Sequence, residues 1–121
     1  MKKNLVILFF LFPIILFSQN FTRQDTLRGS ITPERAWWDL TYYHLDIAVD
    51  PDNKFIKGSN IVQYKVLESN DEIQIDLQKP LKITKVTQDN KELTFRLDGY
   101  SHFIKLKKKQ RKGSVNSIKV F

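Results

Sequence analysis

Trp37-Trp38-Asp39-Leu40-Thr41-Tyr42-Tyr43-His44-Leu45-Asp46-Ile47-Ala48-Val49-Asp50, followed by Pro51-Asp52-Asn53-Lys54 and Phe55-Ile56-Lys57-Gly58, is the stretch that decides the fold. Tyr43, Leu45, Ile47 and Val49 fall on one side of an extended chain, and Tyr42, His44, Asp46 and Ala48 on the other. A period of two predicts a half-buried strand with Leu45 and Ile47 facing inward. Asp50-Pro51-Asp52-Asn53 then breaks it, because proline has no amide donor and Asp and Asn favour turns. Phe55 reopens an extended run, and Gly58 within it predicts a bulge or a tight backbone approach.

The same pattern recurs downstream. Val62, Tyr64 and Val66 alternate with polar partners; Ile73, Ile75 and Leu77 predict a third strand and Leu81 to Val86 a fourth. Asp89-Asn90-Lys91 and Asp98-Gly99 predict tight turns on either side of Leu93, Phe95 and Leu97. Tyr100, His102, Ile104 and Leu106 make a sixth strand, and Ile118 and Val120 begin a seventh. Short strands with frequent turns and no long stretch of helical period predict an all-β, antiparallel β-sandwich over residues 37–121. Phe121 falls inside that seventh run, so the expectation is a partial domain at the front of a longer polypeptide.

Upstream, Met1-Lys2-Lys3 precedes an apolar run from Leu5 to Phe17 and then Ser18. A basic start, a short apolar core and a small residue predict a signal peptide over residues 1–18, cut after Ser18, and hence export to the periplasm, the cell surface or the medium. Pro13 and the shortness of the run argue against a stable membrane span after cleavage. Residues 19–36 show no periodicity and read as a polar leader along the domain surface. Within it, Thr32 as cap and Pro33 as first residue allow a single helical turn. Trp37 and Trp38 read as an apolar plug against the first sheet, with a sugar-stacking platform as the functional alternative.

The 121-residue chain carries a net charge of +7, two units of which are Lys2 and Lys3. Five of the six residues Lys107-Lys108-Lys109-Gln110-Arg111-Lys112 are cationic. No aromatic is interleaved and no binding motif surrounds the run, so nucleic acid is not expected as a partner. The run reads as a solvated connecting loop, or else as a contact for anionic lipid or glycan. The absence of cysteine rules out disulfides, thiolate metal sites, thiol catalysis and a lipoprotein anchor.

Nothing in the chain assembles catalytic chemistry. His44 and His102 stand alone, without the spacing of a zinc site. Asp46 and Asp76 are candidates for paired carboxylates only if the fold joins them; otherwise they sit on polar strand faces. Asp50-Pro51-Asp52-Asn53 is a poor calcium loop, with Phe55 where the glycine belongs and Ile61 where the glutamate belongs. Asn20-Phe21-Thr22 matches a glycosylation sequon. No catalytic, cofactor-binding or metal-binding residue is assigned.

Tyr42-Tyr43-His44-Leu45-Asp46-Ile47-Ala48-Val49-Asp50, a short turn and Phe55-Ile56-Lys57-Gly58 together resemble the opening of the zinc aminopeptidases related to aminopeptidase N and leukotriene hydrolase. There a Tyr-x-Leu-x-Leu-type strand leads to a second strand starting aromatic-x-x-Gly. Glu72-Ile73-Gln74-Ile75-Asp76-Leu77 and Leu81-Lys82-Ile83-Thr84-Lys85-Val86 resemble that family's next two strands. Arg35-Ala36-Trp37-Trp38-Asp39 is similar to its secreted bacterial members, and the likeness covers about residues 28–121. The resemblance implies a saddle-shaped β-sandwich before a thermolysin-like zinc domain. The family's His-Glu-x-x-His and Gly-x-Met-Glu-Asn motifs are not in this chain, so no residue role carries over. What it implies is a non-catalytic portion of an exported metallopeptidase that removes N-terminal residues from peptides. Its partner is the catalytic domain of the same polypeptide, peptides are the substrates of the whole, and zinc belongs to the whole and not to this chain. Two alternatives stand beside it: a free-standing secreted module binding glycan or protein through Trp37, Trp38 and the basic loop, and a non-peptidase relative that keeps the domain for interaction.

Overall fold

The structure is a computed structural model and describes residues 21–121. The expected signal peptide, the start of the leader and Asn20 of the sequon lie outside the described residues. Two short helices, α1 (Arg23–Gly29) and α2 (Pro33–Ala36), precede seven strands: β1 (Trp38–Asp50), β2 (Phe55–Val66), β3 (Glu72–Asp76), β4 (Val86–Gln88), β5 (Lys91–Asp98), β6 (Ser101–Lys105) and β7 (Val115–Val120). Every pairing is antiparallel, and the spatial order is β1-β2-β7-β4-β5-β6-β3. The fold is all-β, as the alternation predicts.

The seven strands form one curled sheet, and β5 is where it turns. Its first residues pair with β4, Val86 opposite Leu93, while Thr94 to Asp98 pair with β6. The two parts of the sheet share one core of Trp37, Val62, Tyr64, Val66, Ile73, Val86, Leu93, Ile104, Leu106 and Ile118, with Ile83 from the segment before β4. Burying each such side chain contributes roughly 1.5–3 kcal/mol. Tyr64 sits between the two tryptophans, edge-on to Trp37 at 5.8 Å and to Trp38 at 5.9 Å. Trp37 donates its indole N–H to the Glu72 carbonyl at 2.6 Å, and Trp38 donates to the Glu34 carbonyl at 2.9 Å. Only 3% of Trp37 is exposed. The tryptophans are therefore the plug, and the sugar-stacking alternative loses its platform.

Turn chemistry sets the hairpins. Asp89 and Asn90 take φ 51° and 62°, the left-handed pair that a two-residue turn between twisted strands requires. At the next hairpin Asp98 pairs with Ser101, so Gly99 and Tyr100 are the turn, one residue later than predicted. Gly99 has φ 63°, and a Cβ there would lie 1.7 Å from the Gln24 side chain.

Three expectations need correction. The fourth strand does not run from Leu81 to Val86. That segment is irregular up to Lys85, and only Val86–Gln88 is strand. Pro80 supplies no donor at its start, and Leu81 instead closes a turn onto the Gln78 carbonyl at 3.2 Å. Residues 23–29, read as aperiodic, form the helix α1, and α2 packs on β3. Thr22 caps α1 in a reciprocal box with Asp25, which buries the single residue Leu27. Thr32 and Pro33 do open α2, but the Thr32 hydroxyl turns inward and donates to Gln74 Oε1 at 2.6 Å. Finally, β1 is a strand but not half-buried: its residues from Asp39 to Val49 are exposed on both faces.

Candidate functional site

The exposed part of β1 is the feature that calls for a function. Its register with β2 places Tyr43 opposite Val62, Leu45 opposite Asn60, Ile47 opposite Gly58 and Val49 opposite Ile56. Directly paired residues share a face, so Tyr43, Leu45, Ile47 and Val49 lie on the same side of the sheet as the buried Val62 and Tyr64. The inward phase read from the sequence is correct, yet Leu45 is 62% exposed and Ile47 49%. The core simply ends at Val62, and the hairpin runs on past it. Along β2 the change is graded, from exposed at Phe55 to buried at Val62, Tyr64 and Val66.

Three details make this hairpin a formed surface. Gly58 lies so close to β1 that a Cβ would fall 2.0 Å from the Asp46 carbonyl oxygen. That is the tight approach its position predicted. At the tip, Asp50 accepts from the Asn53 backbone at 3.1 Å and from its side-chain amide at 2.8 Å. These bonds hold the Asp50 carboxyl below its ordinary pKa and commit it to closing the turn. At the root, Asn60 Oδ1 is shielded from solvent without a hydrogen-bond partner, where the core gives way to the open stripe. β1 is also an edge strand, so one row of its backbone groups is unpaired within this sheet.

The sequence candidates for chemistry remain apart. His44 lies exposed on β1, while His102 is buried on β6 between Ile75 and Leu97 of the neighbouring strands. Burial lowers the His102 pKa, and its Nδ1 has no partner. Asp46 is exposed in the open part of β1, on the side away from the core, while Asp76 is bonded to Gln74 and Arg35, so the two are not a carboxylate pair. Among the described residues no group of three His, Cys, Asp or Glu side chains could hold a metal ion. The residues present therefore do not fit zinc, and no catalytic step is assigned to them.

Sequence reading missed one cluster altogether. Alternation with Ile73 and Ile75 puts Gln74 on the face of β3 that carries Asp76, yet it is buried, and its amide donates to the Leu27 carbonyl at 3.2 Å, Asp76 at 3.0 Å and Ser101 at 3.1 Å. Arg35 of α2 bonds the other oxygen of Asp76. Burial pushes the Asp76 carboxyl up, but the bonds from Gln74 and Arg35 outweigh this and hold it low. At the far end of β5, Arg23 and Gln24 both donate to Asp98, at 2.8 and 2.9 Å. These contacts join donors and acceptors remote in sequence, so no local pattern announces them; they fasten α1 and α2 to the sheet and form no reaction site. No protein-family model matches the chain, and no curated protein matches it.

Proposed function

We propose that this chain is the non-catalytic β-sheet portion of an exported zinc aminopeptidase, and that the open β1–β2 hairpin is the part that seats against the catalytic domain and walls its substrate cleft. One observation carries the buttressing role: the apolar stripe Tyr43, Leu45, Ile47, Val49 and Ile56 continues the core face of the sheet and has no cover among the described residues. An uncovered apolar stripe on a long edge hairpin marks a contact surface, since left bare it invites aggregation. The peptidase assignment rests on the resemblance of Tyr42–Asp50 and Phe55–Gly58. The zinc, the peptide substrate and the chemistry belong to the partner domain. A free-standing glycan-binding module is less well supported, because Trp37 is spent inside the core.

The test is a photo-crosslinking residue at Ile47, with Lys91 as an exposed control, expressed in the native cell and followed by mass spectrometry. The expected adduct at Ile47 is with a segment of a protein carrying His-Glu-x-x-His, within the same polypeptide or a co-exported one. Adducts confined to cell-surface glycan, or to polypeptides without that motif, would remove the reading.

A further inference from the structure

The basic run between β6 and β7 is not a floppy connector. Gln110 at its centre is buried: its backbone N–H donates to the Asn70 carbonyl at 2.8 Å, and its side-chain amide donates to the Lys108 carbonyl at 2.9 Å. Gly113 donates to the Val66 carbonyl at 2.8 Å, and Leu106 to the Asp71 carbonyl at 2.8 Å. Tied at both ends and in the middle, the loop must turn its cations outward, and Lys107, Lys108, Lys109, Arg111 and Lys112 are all exposed.

Two neighbouring cations are neutralised. Lys105 pairs with Asp71 at 2.8 Å and Lys112 with Glu68 at 2.5 Å. Lys107, Lys108, Lys109 and Arg111 have no acidic partner among the described residues. Lys108, Lys109 and Arg111, with Gln110, Ser114 and Asn116, line an open cavity of about 340 Å³. The neutral groups there are already occupied: Ser114 donates to the Arg111 carbonyl at 2.6 Å, and Asn116 donates to Ser114 at 2.9 Å. Hence the charged donors left free are the spread cations. Beside them Val115 and Leu67 are exposed, on strand ends tied together by the bond from Val66 to the Ser114 carbonyl at 2.9 Å.

We propose that this loop is a peripheral membrane-binding site that takes the phosphate headgroups of anionic phospholipids. One free phosphate ion cannot meet four exposed cations, only three of which line the open cavity. A surface of many phosphates meets all four at once and leaves Val115 and Leu67 at the headgroup boundary. This assignment is independent of the peptidase reading.

The test measures partitioning of the full chain onto vesicles of phosphatidylcholine with about 30% phosphatidylglycerol, as a ratio to phosphatidylcholine alone. The ratio cancels any contribution of the apolar residues 5–17 common to both. Lys108→Gln with Lys109→Gln is expected to lower it about 25-fold, roughly fivefold per cation. Lys54→Gln with Lys57→Gln, which changes net charge equally at the end of β2 away from the loop, is expected to leave it within about twofold, because screening confines the effect to roughly 8 Å at physiological salt. Equal losses in the two variants, or no preference for anionic vesicles, would overturn the proposal. So would saturable amide shifts in residues 107–112 on titration with inorganic phosphate, beyond those from chloride at equal ionic strength and without a vesicle preference; that result would assign a free-ion site.

Discussion

β2 passes through two different environments. From Val62 to Val66 its inward side chains meet Trp37, Ile73, Ile104 and Ile118, and Tyr64 is so enclosed that burial raises its hydroxyl pKa to about 12. From Phe55 to Gly58 the same strand, in the same register with β1, meets solvent. Both parts pair with β1 and keep the same alternation, but only from Asn60 onward does β2 also pair with β7. Cover differs as well: the sheet curls so that Ile73 of β3 and Ile104 of β6 share a core with the first part and not with the second. A strand's phase is thus a local property, and its burial is not.

The largest test of this contrast removes the cover's own core. Ile104 is fully buried on β6, and Ile104→Ala is expected to cost about 2–5 kcal/mol of unfolding free energy in urea titrations. A cost below about 1 kcal/mol would show that the closed part is loosely packed.

Next in size is Gln74→Leu. It leaves the Leu27 carbonyl and the Ser101 and Thr32 hydroxyls without their partner, and is expected to cost about 1–3 kcal/mol. Faster hydrogen exchange in α1 and α2 than in β2 would locate the loss at the helical cover. An unchanged melt would mean that those helices do not stabilise the sheet.

Acidification is expected to act more gradually. Burial holds the folded-state pKa of His102 below its ordinary value of 6.5, so the unfolded chain binds the proton first. The sign follows: this contribution to stability is complete above pH 6.5 and declines as the pH falls from there through the folded-state pKa. The groups around the ring are the Tyr100 and Ile75 carbonyls and the Asp76 carboxylate, which favour the proton, and the Phe95 ring at 5.9 Å. Melting temperature is expected to fall between pH 7.5 and 5.5 in the parent chain (roughly one unit either side of the ordinary histidine pKa). The fall should be smaller in His102→Phe. An identical fall in both would assign the acid sensitivity to other groups.

The smallest effect is expected in the open hairpin. Leu45→Ala and Ile47→Ala in the chain alone are expected to stay within about 0.5 kcal/mol, as exposed positions do. A cost near 2 kcal/mol would mean that the stripe is already covered, for instance by a second copy, and the melt would then depend on protein concentration.

Much of the fold was legible in the residues. Tyr43 to Val49, Val62 to Val66 and Leu93 to Leu97 carry the alternation, and Asp89-Asn90 carries its turn. Leu45 and Ile47 were read as core because period two reports a shared face and cannot report what lies opposite. α1 escaped because one buried residue, Leu27, makes no helical period; its signal was Thr22 followed three residues later by Asp25. Leu81 and Ile83 imitated a strand, while Pro80 beside them was the warning. Gln74 could not be read at all, since its meaning comes from Thr32 and Leu27, more than forty positions earlier.

The irregularity near the start of β1 has a further consequence. Leu40 pairs with Tyr64 and Tyr42 with Gln63, so Thr41 is an extra residue. Before it, even-numbered positions face the core; after it, odd-numbered ones do. A one-codon deletion at Thr41 would leave Leu40 opposite Tyr64, Tyr42 opposite Gln63 and Tyr43 opposite Val62, so the ladder would become regular with Tyr43, Leu45, Ile47 and Val49 still on the core side. The extra residue therefore does not choose the face of the stripe; it bends and twists β1 next to the closed part of the sheet, and so sets the direction in which the open hairpin leaves it.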